Sequence, residues 1–184
     1  MVVLASGSPR RKELLSQLLT DFITDPATGA ERADGALSPE KTACALAENK
    51  CEEVFLRHTG DIVIGCDTIV VYGARILGKP KDKQDAVNTL KMLSGKVHHV
   101  ITGVCIKYKN KKLINYDKTE VSFNILSAQF IEEYVNGGSP MDKAGSYGIQ
   151  DGGIVAGYKG SYSNVVGLPV TLVKNMLEEI TKDI

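Results

Sequence analysis

Val2-Val3-Leu4-Ala5-Ser6-Gly7-Ser8-Pro9-Arg10-Arg11-Lys12-Glu13-Leu14-Leu15 opens the chain, and its reading decides the fold. Four apolar residues form a short buried strand, and Ser6-Gly7 breaks it. Ser8 followed by Pro9 is a helix start, with a hydroxyl N-cap and a proline whose missing N–H costs nothing in the first turn. Leu14, Leu15, Leu18 and Leu19 return at helical spacing, which predicts a helix over 9–20 with one buried face. A strand, a tight turn and a helix in immediate succession are the beginning of an α/β protein.

The rest of the chain repeats that interleaving. Residues 24–37 lack periodicity and read as loop, and Ser38-Pro39 then opens a second helix to about Phe55. Asp61 to Tyr72 is a strand rich in Ile and Val, interrupted at Gly65-Cys66-Asp67-Thr68. Asp82 caps a third helix with Ala86, Leu90 and Leu93 inward and Gly95 as its stop. Two β-rich stretches between Val97 and Asn124 flank a turn at Lys109-Asn110-Lys111-Lys112, with Val121, Phe123 and Ile125 alternating toward the core. Ser127 caps a short helix ending at Gly137-Gly138, residues 139–168 are glycine-rich, and a last helix begins near Pro169. The expected architecture is a mixed twisted sheet flanked by helices, one domain over 1–184.

Composition narrows the function. The 184 residues carry 22 Lys plus Arg against 22 Asp plus Glu, with 43% hydrophobic residues. Apolar content of this order at zero net charge excludes intrinsic disorder. No apolar run approaches the roughly 20 residues of a membrane-spanning helix, and Arg10-Arg11 follow Met1–Ala5 too soon for a signal-peptide core. A neutral chain does not grip long nucleic acid through its overall field. Any anion site must be local. The four cysteines (Cys44, Cys51, Cys66 and Cys105) contain no C-x-x-C pair, which argues against a zinc ribbon and for a reducing, cytoplasmic setting.

Five places could carry chemistry. In Ser6–Arg11 a turn delivers free backbone N–H groups and the positive end of a helix dipole to one point, and two arginines there oppose that dipole unless an anion relieves them. Both could equally be solvated. Lys50 falls within the inward stripe Ala43, Leu46, Ala47, Cys51 and Val54, so it must snorkel to water or meet an anion. Asp67 lies between Ile62-Val63-Ile64 and Ile69-Val70-Val71, where a carboxylate is costly unless paired, hydrogen-bonded in a turn or bound to metal. Gly65 beside it marks a bulge or the close approach of another group. Gly78-Lys79-Pro80-Lys81 is a cationic loop, and Gln150 carries an amide able to read a base edge. His58, His98 and His99 have no ligand spacing and read as structural.

Leu4–Leu15, Gly65-Cys66-Asp67-Thr68-Ile69-Val70, Gly78-Lys79-Pro80, Asp142–Gln150 and Val165-Val166-Gly167-Leu168-Pro169 together resemble, in order, the signature blocks of the Maf family of nucleoside triphosphate pyrophosphatases. The resemblance implies two lobes around a central cleft, a homodimer, a divalent cation (Mg or Mn), and cleavage of a nucleoside triphosphate substrate to the monophosphate and pyrophosphate. It implies Asp67 as proton acceptor and Ser8, Arg10, Arg11, Lys50 and Lys79 as phosphate-site residues. Base choice would follow Arg10, Thr68 and Gln150, a combination similar to the branch acting on dTTP and UTP, including modified pyrimidine nucleotides. The 7-methyl-GTP branch carries other residues at those positions, and a non-catalytic nucleotide-binding regulator of septum formation is the alternative from another class. Two departures stand out. The family often has two acidic residues before the second helix where this chain has Glu31-Arg32, so metal ligation falls on Asp67 with Glu31, and Cys66 replaces the usual Ala or Ser.

Overall fold

The computed structural model describes residues 1–29 and 37–182, and Glu31 lies outside them. Strand β1 (Val2–Leu4) leads to helix α1 (Pro9–Ser16), β2 (Ile23–Thr24) and α2 (Pro39–Phe55). Next come β3 (Ile62–Tyr72), β4 (Arg75–Leu77), α3 (Lys83–Leu93), β5 (Val97–Tyr108), β6 (Lys111–Phe123) and α4 (Ala128–Asn136). Two short 3-10 turns, β7 (Val155–Lys159), α5 (Tyr162–Val166) and α6 (Val170–Thr181) complete the order. The strands form one seven-stranded sheet in the order β2-β1-β3-β5-β6-β7, with β4 paired to β3. It is mixed, as expected: β1 runs parallel to both β2 and β3, while the pairs β3/β4 and β6/β7 are antiparallel.

The chain divides into two compact units. The first comprises Met1–Thr68, Thr102–Asp117 and Gly167–Ile184, and the second Ile69–Ile101 and Lys118–Val166. In the first, Val3, Ala5, Val63 and Cys105 of the sheet pack with Ala47, Cys51, Val54 and Phe55 of α2. How α2 reaches the sheet is decided by two glycines. A methyl group at Gly65 on β3 would lie 2.3 Å from the Ala47 carbonyl oxygen, and one at Gly103 on β5 would lie 2.2 Å from that of Ala43. Helix backbone therefore rests directly on strand backbone, an approach that any side chain at either position would prevent. Of the two readings of Gly65, close approach holds.

β3 is not interrupted. It continues for 11 residues through Gly65-Cys66-Asp67-Thr68, because the polar pair inside it finds partners and needs no turn to reach water. Helix α1 is shorter than its leucine pattern suggested. It stops at Ser16, leaving Leu18 and Leu19 half-buried in the turn beyond, with the Leu18 and Leu19 amides both donating to the Leu15 carbonyl. The caps are as anticipated: Ser8, Ser38, Asp82 and Ser127 each accept a backbone N–H three residues on. Ile125 departs from the pattern, being 90% exposed beyond the end of β6.

The second unit centres on Leu90, Leu93, Val121, Phe123, Ile131 and Tyr147. His98 is buried there, edge-on to the rings of Phe123 and Tyr147. Its Nε2 lies 2.8 Å from the Tyr147 hydroxyl, while Nδ1 has no hydrogen-bond partner. A second proton would thus sit in apolar surroundings with nothing to accept it, and burial, aided by the charge of His99, lowers the His98 pKa to about 4.

Two predictions follow from this packing. Gly65→Ala should destabilise the fold by about 2 kcal/mol or more, the upper range for overpacking against an unyielding neighbour, measured by urea unfolding. For His98, the unfolded chain binds the proton first, so stability should be complete above pH 6.5 and fall as pH drops toward 4, by on the order of 3 kcal/mol. Urea midpoints between pH 4 and 7 should show that slope, and His98→Gln should flatten it.

Candidate active site

The first unit gathers most of the residues singled out above. Lys50, on the α2 turn that lies against Gly65, places Nζ 2.5 Å from Asp67 Oδ1. The two side chains are 17% and 10% exposed, so the pair is largely removed from water. Each anomaly in the sequence, a lysine in an apolar stripe and an aspartate in an apolar strand, is the answer to the other. Among the described residues Asp67 Oδ2 accepts no hydrogen bond, so half of the carboxylate remains available. Cys66, buried between them in sequence, has its thiol pushed up to about 12 by burial and behaves as a small apolar residue.

The N-terminus of α1 forms a second cluster. Ser6 Oγ accepts the Ser8 N–H at 3.2 Å, and Ser8 Oγ caps the helix by accepting the Arg11 N–H at 3.4 Å. An accepting hydroxyl keeps its own proton to donate, so Ser8 can cap and bind an anion together. Arg10 is half-buried at the start of the helix. Arg11 has three protein acceptors: Nε donates to the Gly167 carbonyl at 2.8 Å, Nη2 to Thr68 Oγ1 at 3.0 Å and Nη1 to Ser6 Oγ at 3.4 Å. Gly167 takes φ +129°, a conformation that favours glycine, and brings its carbonyl under the guanidinium. Thr68 Oγ1 also lies 3.0 Å from the hydroxyl of the buried Thr102. One network therefore joins α1, β3, β5 and the segment before α6.

Thr102 was not singled out in the sequence, and Ser6 and Gly167 lay inside the quoted stretches without a role of their own. Thr102 had a usable signal, a polar residue inside the apolar run Val100-Ile101-Thr102-Gly103-Val104. Lys79 and Gln150 belong to the second unit, both exposed. No group of three or more His, Cys, Asp or Glu side chains able to hold a metal occurs among the described residues, and none of their helices is long and apolar enough to cross a membrane. All four cysteines are free thiols.

The class of protein these observations define is a mixed α/β fold whose central strand carries a carboxylate–ammonium pair and whose first helix start is capped and bears two arginines. The chain belongs to the Maf family: the model for Maf-like protein matches residues 1–180. A dTTP/UTP pyrophosphatase of Thermococcus gammatolerans is 46% identical over 180 residues, covering 97% of this chain and 96% of that protein. One from Aquifex aeolicus is 43% identical, covering 97% and 95%. The solved structure of the Staphylococcus aureus Ham1 protein matches with a TM-score of 0.53 at 12% identity, over 98% of this chain and 99% of that one, a likeness of fold.

Breaking a shielded ion pair from either side leaves an uncompensated charge. A double-mutant cycle of Lys50→Met and Asp67→Asn should therefore give a coupling energy of about 1–3 kcal/mol in urea unfolding.

Proposed function

We propose that this protein is a nucleoside triphosphate pyrophosphatase acting on dTTP and UTP, releasing the monophosphate and pyrophosphate. The observation that supports it most directly is the Asp67–Lys50 pair, an acid and a cation held together, with Asp67 inside the Gly65–Val70 block that resembles the family's signature. The names of the Thermococcus and Aquifex relatives give the substrates.

Cleavage between the α and β phosphates needs an attacking water, an acceptor for its proton and relief of phosphate charge. Asp67 Oδ2 takes the proton as the water oxygen bonds to the α-phosphorus. The bond from that phosphorus to the bridging oxygen breaks, and its electron pair leaves with pyrophosphate. Lys50, with three donors, holds Oδ1 and can bond a phosphate oxygen at once. Ser8 and Arg10 complete the phosphate contacts offered by the first unit, and Lys79 is assigned to the same task from its own loop. Arg11 serves the phosphates through the helix start and Thr68 that it holds in place.

A divalent cation suits the donors present. Asp67 offers a hard oxygen ligand, and Mg²⁺ or Mn²⁺ in nucleotide enzymes is commonly held by one or two carboxylates with substrate phosphates and water. Asp67 would hold it, with Glu31 as the second candidate. When bound, the ion supplies Lewis-acid polarisation of the phosphoryl group. Base choice is assigned to Arg10, Thr68 and Gln150. A homodimer in a reducing cytoplasm completes the reading.

Incubation with dTTP or UTP and Mg²⁺ should release pyrophosphate and no orthophosphate, with CTP and 7-methyl-GTP turned over more slowly. Asp67→Asn should lower kcat by about 10²–10⁴-fold, the usual worth of a general base, while nucleotide binding measured by calorimetry persists. Orthophosphate as first product, or full activity in that variant, would overturn the assignment.

A further inference from the structure

Gln150 stands in a turn that the second unit secures by a set of contacts of its own. The Asp151 N–H donates to the Gly148 carbonyl at 3.0 Å, which closes the turn and places Gln150 inside it. Asp151 Oδ2 accepts the Tyr134 hydroxyl at 2.5 Å and the Ser139 hydroxyl at 2.8 Å. The Tyr134 oxygen in turn accepts the Gly148 N–H at 3.2 Å. Both ends of the turn are thus tied to one phenol, itself stacked parallel to Phe130 on the same helix. Burial, then the bond to Asp151, raises the Tyr134 pKa, so the phenol stays a donor across the working pH range. Over Gly148 the side chains of Gln150 and Asp151 converge: a methyl group there would lie 2.6 Å from Gln150 Nε2 and 2.9 Å from Asp151 Oδ2.

Why such a clamp should matter follows from amide chemistry. A glutamine amide has a donor end and an acceptor end. Free to flip, it can serve uracil and thymine, whose N3–H donates, or cytosine, whose N3 accepts. Held one way, it can serve only one of them, because a mismatch sets two acceptors or two donors face to face. Of the two amide atoms, Nε2 lies nearer Gly148, on the side where Asp151 Oδ2 stands; a carboxylate there repels Oε1 and favours the orientation that offers Oε1 as the acceptor for the imide N3–H.

We infer that Tyr134, Asp151 and Ser139 are positioning residues that fix the turn carrying Gln150, with the Asp151 carboxylate biasing its amide, and thereby set the preference for uracil and thymine nucleotides over cytosine nucleotides. This rests on the base-reading role given to Gln150 above.

Pyrophosphate release from UTP and CTP by the full chain tests it. Tyr134→Phe should narrow the UTP-over-CTP ratio of kcat/KM by about 10-fold, the worth of one well-placed hydrogen bond. The change should come from a raised KM for UTP, with kcat within about 2-fold of the parent. Asp151→Ala should do the same. Asp151→Asn keeps an oxygen acceptor for both hydroxyls and should restore most of the ratio. Hydrogen exchange at the Gly148 amide should quicken in Tyr134→Phe, and Ser139→Ala gives a milder version of the same shift should the phenylalanine variant fold poorly. An unchanged UTP-over-CTP ratio in these variants overturns the inference, as does an equal loss on both nucleotides accompanied by a lower Tm. If Gln150→Ala narrows the ratio while Tyr134→Phe does not, only the clamp is refuted. A parent protein with no preference between the two nucleotides refutes the reading of Gln150 itself.

Discussion

The contact of α2 backbone with Gly65 and Gly103 is the constraint on which the candidate active site depends. Helices ordinarily ride on a sheet at a distance set by the side chains on both. Removing the side chain from two strand positions lets the Ala43–Ala47 turn settle onto the strands themselves. Lys50, one turn further along, can then extend its ammonium to a carboxylate on β3 without leaving the helix. The strand gains as well. Asp67, 7% exposed in the middle of a continuous ladder, would be prohibitive there without a cation at hydrogen-bond distance.

That arrangement concentrates positive charge without making the protein basic. The chain is neutral overall, and the cations of the first unit do different work. Lys50 offsets Asp67, whereas Arg11 joins three acceptors from separate parts of the fold. A planar guanidinium suits that task, since its donors point in fixed and divergent directions. Adjacent arginines in a helix start therefore need not share one task. Arg11 braces the turn through Ser6 and Thr68, and Arg10 is the one proposed above for phosphate.

What the sequence disclosed was mostly local or anomalous. Capping residues, glycine stops and the α3 stripe depend on near neighbours, so they could be placed by inspection. Lys50 and Asp67 drew notice because each contradicted its surroundings, and mutual satisfaction is what the fold supplies. Where tertiary partners decide, the pattern misled. Leu18 and Leu19 kept a helical spacing that the chain does not follow, and a four-residue polar interruption in β3 proved to be strand because Lys50, Arg11 and Thr102 satisfy it. β2 has two residues and β7 five, in segments dominated by turn formers, too short for a periodicity to show. Glycine-rich stretches hide such strands because their register is set by the neighbouring strand more than by their own side chains.

Thr68 and Gln150 share a design despite lying in different units. Each is carried by backbone or partners that the fold holds in place. Thr68 is held between a guanidinium and a second hydroxyl, and the Gln150 turn is closed by a phenol and a carboxylate. Telling uracil from cytosine amounts to telling N3–H from a lone pair, a difference smaller than any difference of shape. Shape can be read by an adaptable pocket, but hydrogen-bond polarity can be read only by groups that cannot reverse themselves. If Thr68 and Gln150 read the base as proposed, rigid supports behind them are a physical requirement of the selectivity. Their cost is polar atoms withdrawn from water, which must be satisfied in sets: one lost hydroxyl would leave a carboxylate or a guanidinium under-bonded.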